Sequence, residues 1–539
     1  MRFIELRCLA GTRLVVFALL ALAQFPSAQG SRGPGYGGTL RVELHDAVIS
    51  LDPREWKAGA MESAADEKMG ALVFDRLVAL DNYGRFQPQL ATAWSRDAGF
   101  KRWVFTLRPG VKFSDGTLLS AADVATALQP LLPDGQQIIA SGNSVVVQSA
   151  AAMPDLLEEL ASGRFFVYRV QPDRSLMGTG PFFVSEKAGG GRGLSRSSTA
   201  AVDSNLAASS PGANKMTHLR FRANEETWSG RPFLDAIEVT LGVPPLRQLL
   251  DLQLGKADLV ELSPELVRRA MQDNQRVWSS APVTFYGLRF DEAQAAAADA
   301  NLREALSFSL DRQTMANVLL QKQAEPASAL LPQWLSGYAF LFTMETNIER
   351  AKEIRATLPA NLAAGNAPLR LRVDATGDLA KLLGERVAVN ARQAEILVQL
   401  VNRAASHTTT TASDPAAGAH LFSWHYSSLS PRVELESMVS TFNMGNANEA
   451  AVSPIDPEQL YAREKKLLED RHVLPLVVLP EYVGLGQKVR DWMPARWGEW
   501  RLADVWLDLQ EPNTAQPVNP NGAETPPTPP AAASPGAKP

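Results

Sequence analysis

Apolar and polar residues alternate over Thr39-Leu40-Arg41-Val42-Glu43-Leu44, which predicts a strand with Leu40, Val42 and Leu44 on one face. The period then changes. Met69, Leu72, Val73 and Leu77 recur at helical spacing, so a helix is predicted over 64–80. Trp103-Val104-Phe105-Thr106-Leu107-Arg108 returns to strand character and runs into turns at Pro109-Gly110 and Asp115-Gly116. Ser120 and Asp123 have the spacing of a capping box, in which the hydroxyl accepts from an orphan amide and the carboxylate reaches back. A helix through Leu128 is expected to follow. Further strands are predicted at 237–241, 369–373, 421–423 and 474–479. A helix over 246–254 is stopped by Gly255, and helices over 302–310 and 313–320 form a pair with Asp311 as the cap between them. Strands and helices alternate over most of the chain, which argues for α/β lobes.

Three stretches lack such a pattern. Residues 187–217 are rich in Gly, Ser and Ala and predict a flexible surface insertion, and the Pro/Ala/Thr tail over 511–539 predicts disorder. At the other end Arg2, Arg7 and Arg13 precede the apolar run 14–22, and small residues follow in Pro26-Ser27-Ala28-Gln29-Gly30. This order predicts a secretory signal over 1–30, cleaved after Ala28 or Gly30; the apolar run is short for a membrane span.

Composition narrows the function. A chain of 539 residues exceeds what one core usually serves, so two or three domains are expected. The formal net charge of -5 provides no basic footprint for a phosphate backbone, so nucleic acid is not an expected partner. The single cysteine, Cys8, precedes the apolar run rather than following it, which does not support a lipid anchor. The mature chain would then hold no thiol for zinc or catalysis. Of the six histidines none forms a helical His-x-x-x-His pair, and His420 and His425 fall on opposite faces of one strand, so neither a metal site nor another cofactor is expected. The sequence holds no Gly-x-Ser-x-Gly elbow, His-Glu-x-x-His pair or phosphate loop, and an enzyme is not expected. Gly189-Gly190-Gly191-Arg192-Gly193 reads as loop, since no lysine-serine pair follows it.

Several segments occur together in order: Gly37-Gly38-Thr39-Leu40-Arg41-Val42, Leu51-Asp52-Pro53, Val73-Phe74-Asp75-Arg76-Leu77-Val78 and Pro88-Gln89-Leu90-Ala91-Thr92-Ala93-Trp94. The block from Trp103 to Val124 follows, then Gly178-Thr179-Gly180-Pro181-Phe182, Asn224 to Trp228, Gly255-Lys256-Ala257-Asp258, Leu302 to Leu306 with Asp311-Arg312, and Asp504-Val505-Trp506-Leu507. This ordered set resembles solute-binding protein family 5, the receptor subunits of peptide- and nickel-type ABC importers. The resemblance implies an α/β fold, a bilobed periplasmic-binding-protein (type II) clamshell with an extra domain. Its lobes would comprise 31–50 with 166–265 and 478–510, and 266–477. The extra domain would be 51–165, reduced because the stretch after Val124 is shorter than is usual in the family.

The resemblance also implies a monomeric periplasmic receptor that captures a peptide-like or other small solute and delivers it to membrane permease subunits. The alternatives are a sensor or scaffold uncoupled from transport, and a secreted hydrolase. Peptide-binding relatives carry an Asp three places after a Trp, and it pairs with the peptide's amino terminus. Here the matching stretch runs from Trp424 through His425 and Tyr426 to Ser427 and on to Pro431, so serine stands at the acidic position. Trp424, His425, Tyr426 and Ser427, with Trp56 just after Leu51-Asp52-Pro53, are the candidate ligand-binding residues. Serine offers no charge, so the substitution predicts weak or absent binding of ordinary short peptides and a preference for ligands lacking a free ammonium at that position.

Overall fold

Leu40, Val42 and Leu44 are buried while Thr39, Arg41 and Glu43 stay partly exposed, as their alternation predicts. The computed structural model describes residues 34–509 apart from 47, 49, 57–60, 173–174, 190–215, 360–367, 376, 402–416 and 445–455. The expected signal over 1–30, the tail over 511–539 and most of the insertion over 187–217 lie outside the described residues.

In chain order the principal elements are β1 (Thr39–Leu44), α1 (Met61–Val73), β2 (Ala91–Arg96), β3 (Arg102–Leu107), α2 (Ala121–Leu128), β4 (Gln136–Ser141), β5 (Ser144–Ser149), α3 (Leu156–Leu160), β6 (Phe182–Gly189), β7 (Met216–Ala223), β8 (Ala236–Leu241), α4 (Pro245–Gln253), β9 (Leu259–Glu261), β10 (Arg276–Phe290), α5 (Ala300–Ser309), β11 (Leu369–Val373), β12 (Val398–Val401), β13 (Ala419–His425), α6 (Pro431–Phe442) and β14 (Val473–Leu485). An 11-stranded mixed sheet runs β6-β7-β8-β1-β9-β14-β10-β13-β11-β12, with Glu325–Pro326 added beside β14. β1 pairs in parallel with β8 on one side and β9 on the other, placing Val42 between Val239 and Leu259. A separate antiparallel sheet has the order β2-β3-β5-β4.

The long strands β10 and β14 connect the two ends of the large sheet. The start of β10 meets the end of β14, where Trp278 faces Val483, and β9 joins there through Val260 and Gly484. The second half of β10 pairs with the first half of β14 and with β13, where Phe285 faces both Val478 and Trp424. Register shifts on β10 at Ser279, Pro282 and Thr284 separate these halves, as expected where Pro removes a ladder donor. The lobe boundary expected between 477 and 478 falls inside β14. Separate apolar cores form on either side of this junction. One gathers β1, α1 and the small sheet, and another gathers α5, β11 and the end of β10.

Local hydrogen bonding gives several of the predicted features. The capping box is complete, with Ser120 Oγ accepting from Asp123 N at 3.2 Å and Asp123 accepting from Ser120 N at 2.9 Å. Asp311 caps the short helix that starts at Arg312, accepting from Thr314 N at 2.9 Å. That helix continues as a π-turn over Met315–Leu319 rather than as regular helix.

The helix expected over 64–80 ends at Val73, and Val78–Leu80 is a strand. The reason is a distant segment. Gly180 N donates to Val73 O at 2.9 Å, and a Cβ on Gly178 would overlap that same carbonyl. The strand expected over 421–423 extends to His425 and so includes Trp424. Asp75, just past the end of α1, accepts from Gln89 Nε2 at 2.9 Å, Thr179 Oγ1 at 2.8 Å and Trp228 Nε1 at 2.7 Å. This ties the helix end to three later segments.

Candidate functional site

α1 brings two adjacent charged residues, Glu67 and Lys68, into a largely apolar surrounding. Lys68 lies three residues after Ala65 and four before Leu72, both buried, so it falls on the inward stripe of the helix. Its ammonium is held 3.3 Å from Glu261 of β9 and 3.1 Å from Glu481 of β14, and 4.9 Å from the centre of the Trp500 ring. Burial works against this charge, yet the two carboxylates more than offset it and raise the lysine pKa.

Two cavities adjoin Lys68. The first, of 60 Å³, lies where α1 and α3 approach the 425–429 segment and the turn carrying Trp497 and Trp500. Its charged lining consists of Glu67, Lys68, Arg76, Glu158 and Glu499, with His425 beside them. The second, of 200 Å³, lies between α1, the segment after β9 and β14. Its lining includes Asp46, Lys68, Glu261, Tyr286 and Glu481. Arg76 is paired with Glu499 and also donates to Ala161 O at 2.8 Å.

The segment leaving β13 forms one wall of the first cavity. His425, Tyr426 and Ser427 all line it, together with Ser428 and Leu429. His425 has Nδ1 4.0 Å from Glu481; burial lowers its pKa, which favours the neutral ring. The Tyr426 hydroxyl donates to Leu330 O beneath the wall, and burial raises the phenol pKa.

Trp424 is elsewhere. It is 1% exposed and packs on Phe442 in the core beneath the cavity wall, and its Nε1 donates to Glu434 at 2.7 Å. Trp56 is likewise enclosed, donating to Ser50 O at 2.9 Å and meeting Phe166 edge-on, and it lines neither cavity. The structure therefore brings His425, Tyr426 and Ser427 together and leaves both tryptophans in packing positions.

Glu434 of α6 explains the local path of the chain. Its carboxylate accepts from Ser427 N at 2.8 Å and Ser428 N at 2.5 Å, besides the Trp424 indole. Burial pushes it up to about 7, against the opposing pull of those donors. Ser430 caps the same helix by accepting from Val433 N at 3.2 Å. Arg432, on the first turn of α6, pairs with Asp155 at 2.6 Å just before α3.

Glu67 differs from these acids. Among the described residues it has no hydrogen-bond or ion-pair partner, and burial, reinforced by Glu434, pushes it up to about 8. Sequence reasoning missed Glu67, Lys68, Glu261 and Glu481. The usable signal was the placement of Lys68 between Ala65 and Leu72 on an apolar stripe; Glu67 itself carries no such mark. Among the described residues no three of His, Cys, Asp and Glu come together to hold a metal ion.

Residues 85–158 and 210–446 match the family described as bacterial extracellular solute-binding proteins, family 5 Middle. The chain belongs to that family. Among its relatives is protein XP55 of Streptomyces lividans, 26% identical over 286 residues, covering 53% of this chain and 51% of the relative. The nickel-binding protein NikA of Staphylococcus aureus is 22% identical over 334 residues, covering 59% of this chain and 62% of that protein. The chain thus spans about half and under two thirds, respectively, of the lengths of these two relatives. Among solved structures, the murein tripeptide binding protein MppA of Escherichia coli superposes with a TM-score of 0.69 at 17% identity, over 88% of this chain and 99% of that one. The fold of this family 5 chain is accordingly the bilobed α/β clamshell of periplasmic binding proteins.

Proposed function

We propose that this protein is the substrate-binding component of an ABC importer. It captures a peptide-like or other small solute in the periplasm and delivers it to permease subunits, acting as a monomer and without a catalytic step. The supporting observation is the first cavity, because its walls come from two separately cored parts of a family 5 fold. α1 and α3 supply one side, and the segment leaving β13 supplies the other. A cavity built in this way opens and closes as the parts move, which allows a receptor to bury its solute. The Arg432–Asp155 pair joins α6 to the start of α3.

The test is untargeted mass spectrometry of small molecules released by denaturing protein purified natively from a periplasmic extract. A receptor of this kind is expected to release a defined solute in near-stoichiometric amount. Protein that releases nothing, and that shows no compaction in small-angle scattering with any solute fraction, would contradict the reading. The intact mass of the same sample tests export: loss of the first 28 or 30 residues is expected.

A further inference from the structure

We propose that Glu67 is the counter-charge for a primary ammonium group of the solute, taking the place of the acid absent at Ser427. This rests on the receptor reading above and specifies the chemistry of its site. Six carboxylates line the two cavities against two permanently charged bases. Both bases are already occupied, Lys68 by Glu261 and Glu481 and Arg76 by Glu499. The surplus is therefore negative, and Glu67 belongs to it: it lines the smaller cavity, as Ser427 does, and has no hydrogen-bond or ion-pair partner among the described residues. The fold leaves it room: a Cβ on Gly163 would overlap the Glu67 carboxylate, so glycine there preserves its position.

A single carboxylate suits a compact ammonium better than a planar guanidinium, whose fork needs matched acceptors on several sides. An ammonium arriving without a carboxylate would lose hydration uncompensated, and Glu67 supplies that compensation.

The charged and titratable groups around Glu67 are Glu434 from α6, Arg76 and Arg164 from the loops beside it, Glu158 from α3, Glu499 from the turn carrying Trp500, His425 at the end of β13, and Asp66 and Lys68 on its own helix. Burial and Glu434 favour the protonated form of Glu67, whose pKa is pushed up to about 8. When an ammonium binds, that proton leaves to solvent and the carboxylate pairs with the incoming charge.

The test is calorimetry on the full chain with a di- to pentapeptide mixture of uncharged side chains, offered with free amino termini and after N-acetylation. The free mixture is expected to bind, and the acetylated one to bind at least roughly ten-fold more weakly. Glu67→Gln is expected to remove that preference by weakening the free mixture alone. Equal affinity for the two mixtures, no binding of the free one, or a preference that survives Glu67→Gln would overturn the proposal. Natively purified protein that releases a solute lacking an amine would overturn it while leaving the receptor reading intact. Protein that neither releases nor binds any solute would remove both.

Discussion

Asp75 and Glu67 are two acids supplied by the same stretch of chain, one just beyond the end of α1 and the other within it. They are used in opposite ways. Asp75 is 4% exposed and surrounded by donors from Gln89, Thr179 and Trp228. Every donor aimed at it belongs to the fold, so it cross-links segments and has little capacity left for a ligand. Glu67 lines a cavity and has no such donors among the described residues. Burying a carboxylate without partners is unfavourable, and a fold that retains one does so at positions where something else supplies the partner. The contrast is between an acid whose hydrogen-bonding capacity is met by the fold and one whose capacity is unmet beside a cavity.

The largest expected effect lies on the structural side of this contrast. Asp75→Ala leaves the Thr179 hydroxyl, the Trp228 indole and the Gln89 amide without their acceptor. At about 1–3 kcal/mol for each buried donor that stays unpaired, a loss of roughly 3 kcal/mol or more of folding stability is expected, read from urea denaturation. A loss below about 1 kcal/mol would mean that water replaces Asp75 and would break the contrast. Gly178→Ala tests the same junction from the opposite side. Its Cβ overlaps the Val73 carbonyl, and a cost of about 1–3 kcal/mol is expected.

Glu67→Gln should act in the opposite direction on the solute-free protein. The folded pKa of about 8 exceeds the ordinary carboxylate value, so the folded chain keeps a proton that the unfolded chain releases. Stability of the native protein therefore declines as pH rises from about 4.5 toward 8, and glutamine, which does not titrate, escapes that decline. The variant should match the native protein near pH 4.5 and exceed it increasingly toward pH 8 in thermal melts. Equal pH profiles would place Glu67 among ordinary solvated acids. The smallest effect is expected from moving the charge. Adding Ser427→Asp to Glu67→Gln should restore part of the amine preference, by a few-fold, since the neighbouring Glu434 repels a second carboxylate there.

Much of this scaffold was legible because its hydrogen bonds are local. The alternation of β1, the box formed by Ser120 and Asp123, and the Asp311 cap each involve residues a few positions apart. The end of α1 was not legible, because Val73 and Leu77 continue the helical period and only Gly180, far along the chain, takes the Val73 carbonyl. The site divides in the same way. His425, Tyr426 and Ser427 follow a recognisable segment and do reach the cavity. Trp424, in the same segment, turns inward because Glu434 accepts its indole proton. Glu67 resembles any helix-surface glutamate until α3 and the segment after β13 close over it, an arrangement set by sheet order rather than by local pattern.

The most direct measurement of the central claim counts protons. Calorimetric binding of the free-amine peptide mixture near pH 7, repeated in buffers of differing ionisation enthalpy, reports the protons released per solute bound. The account predicts release approaching about one proton for the native protein and close to none for Glu67→Gln. Tight binding with no proton release by the native protein would contradict it.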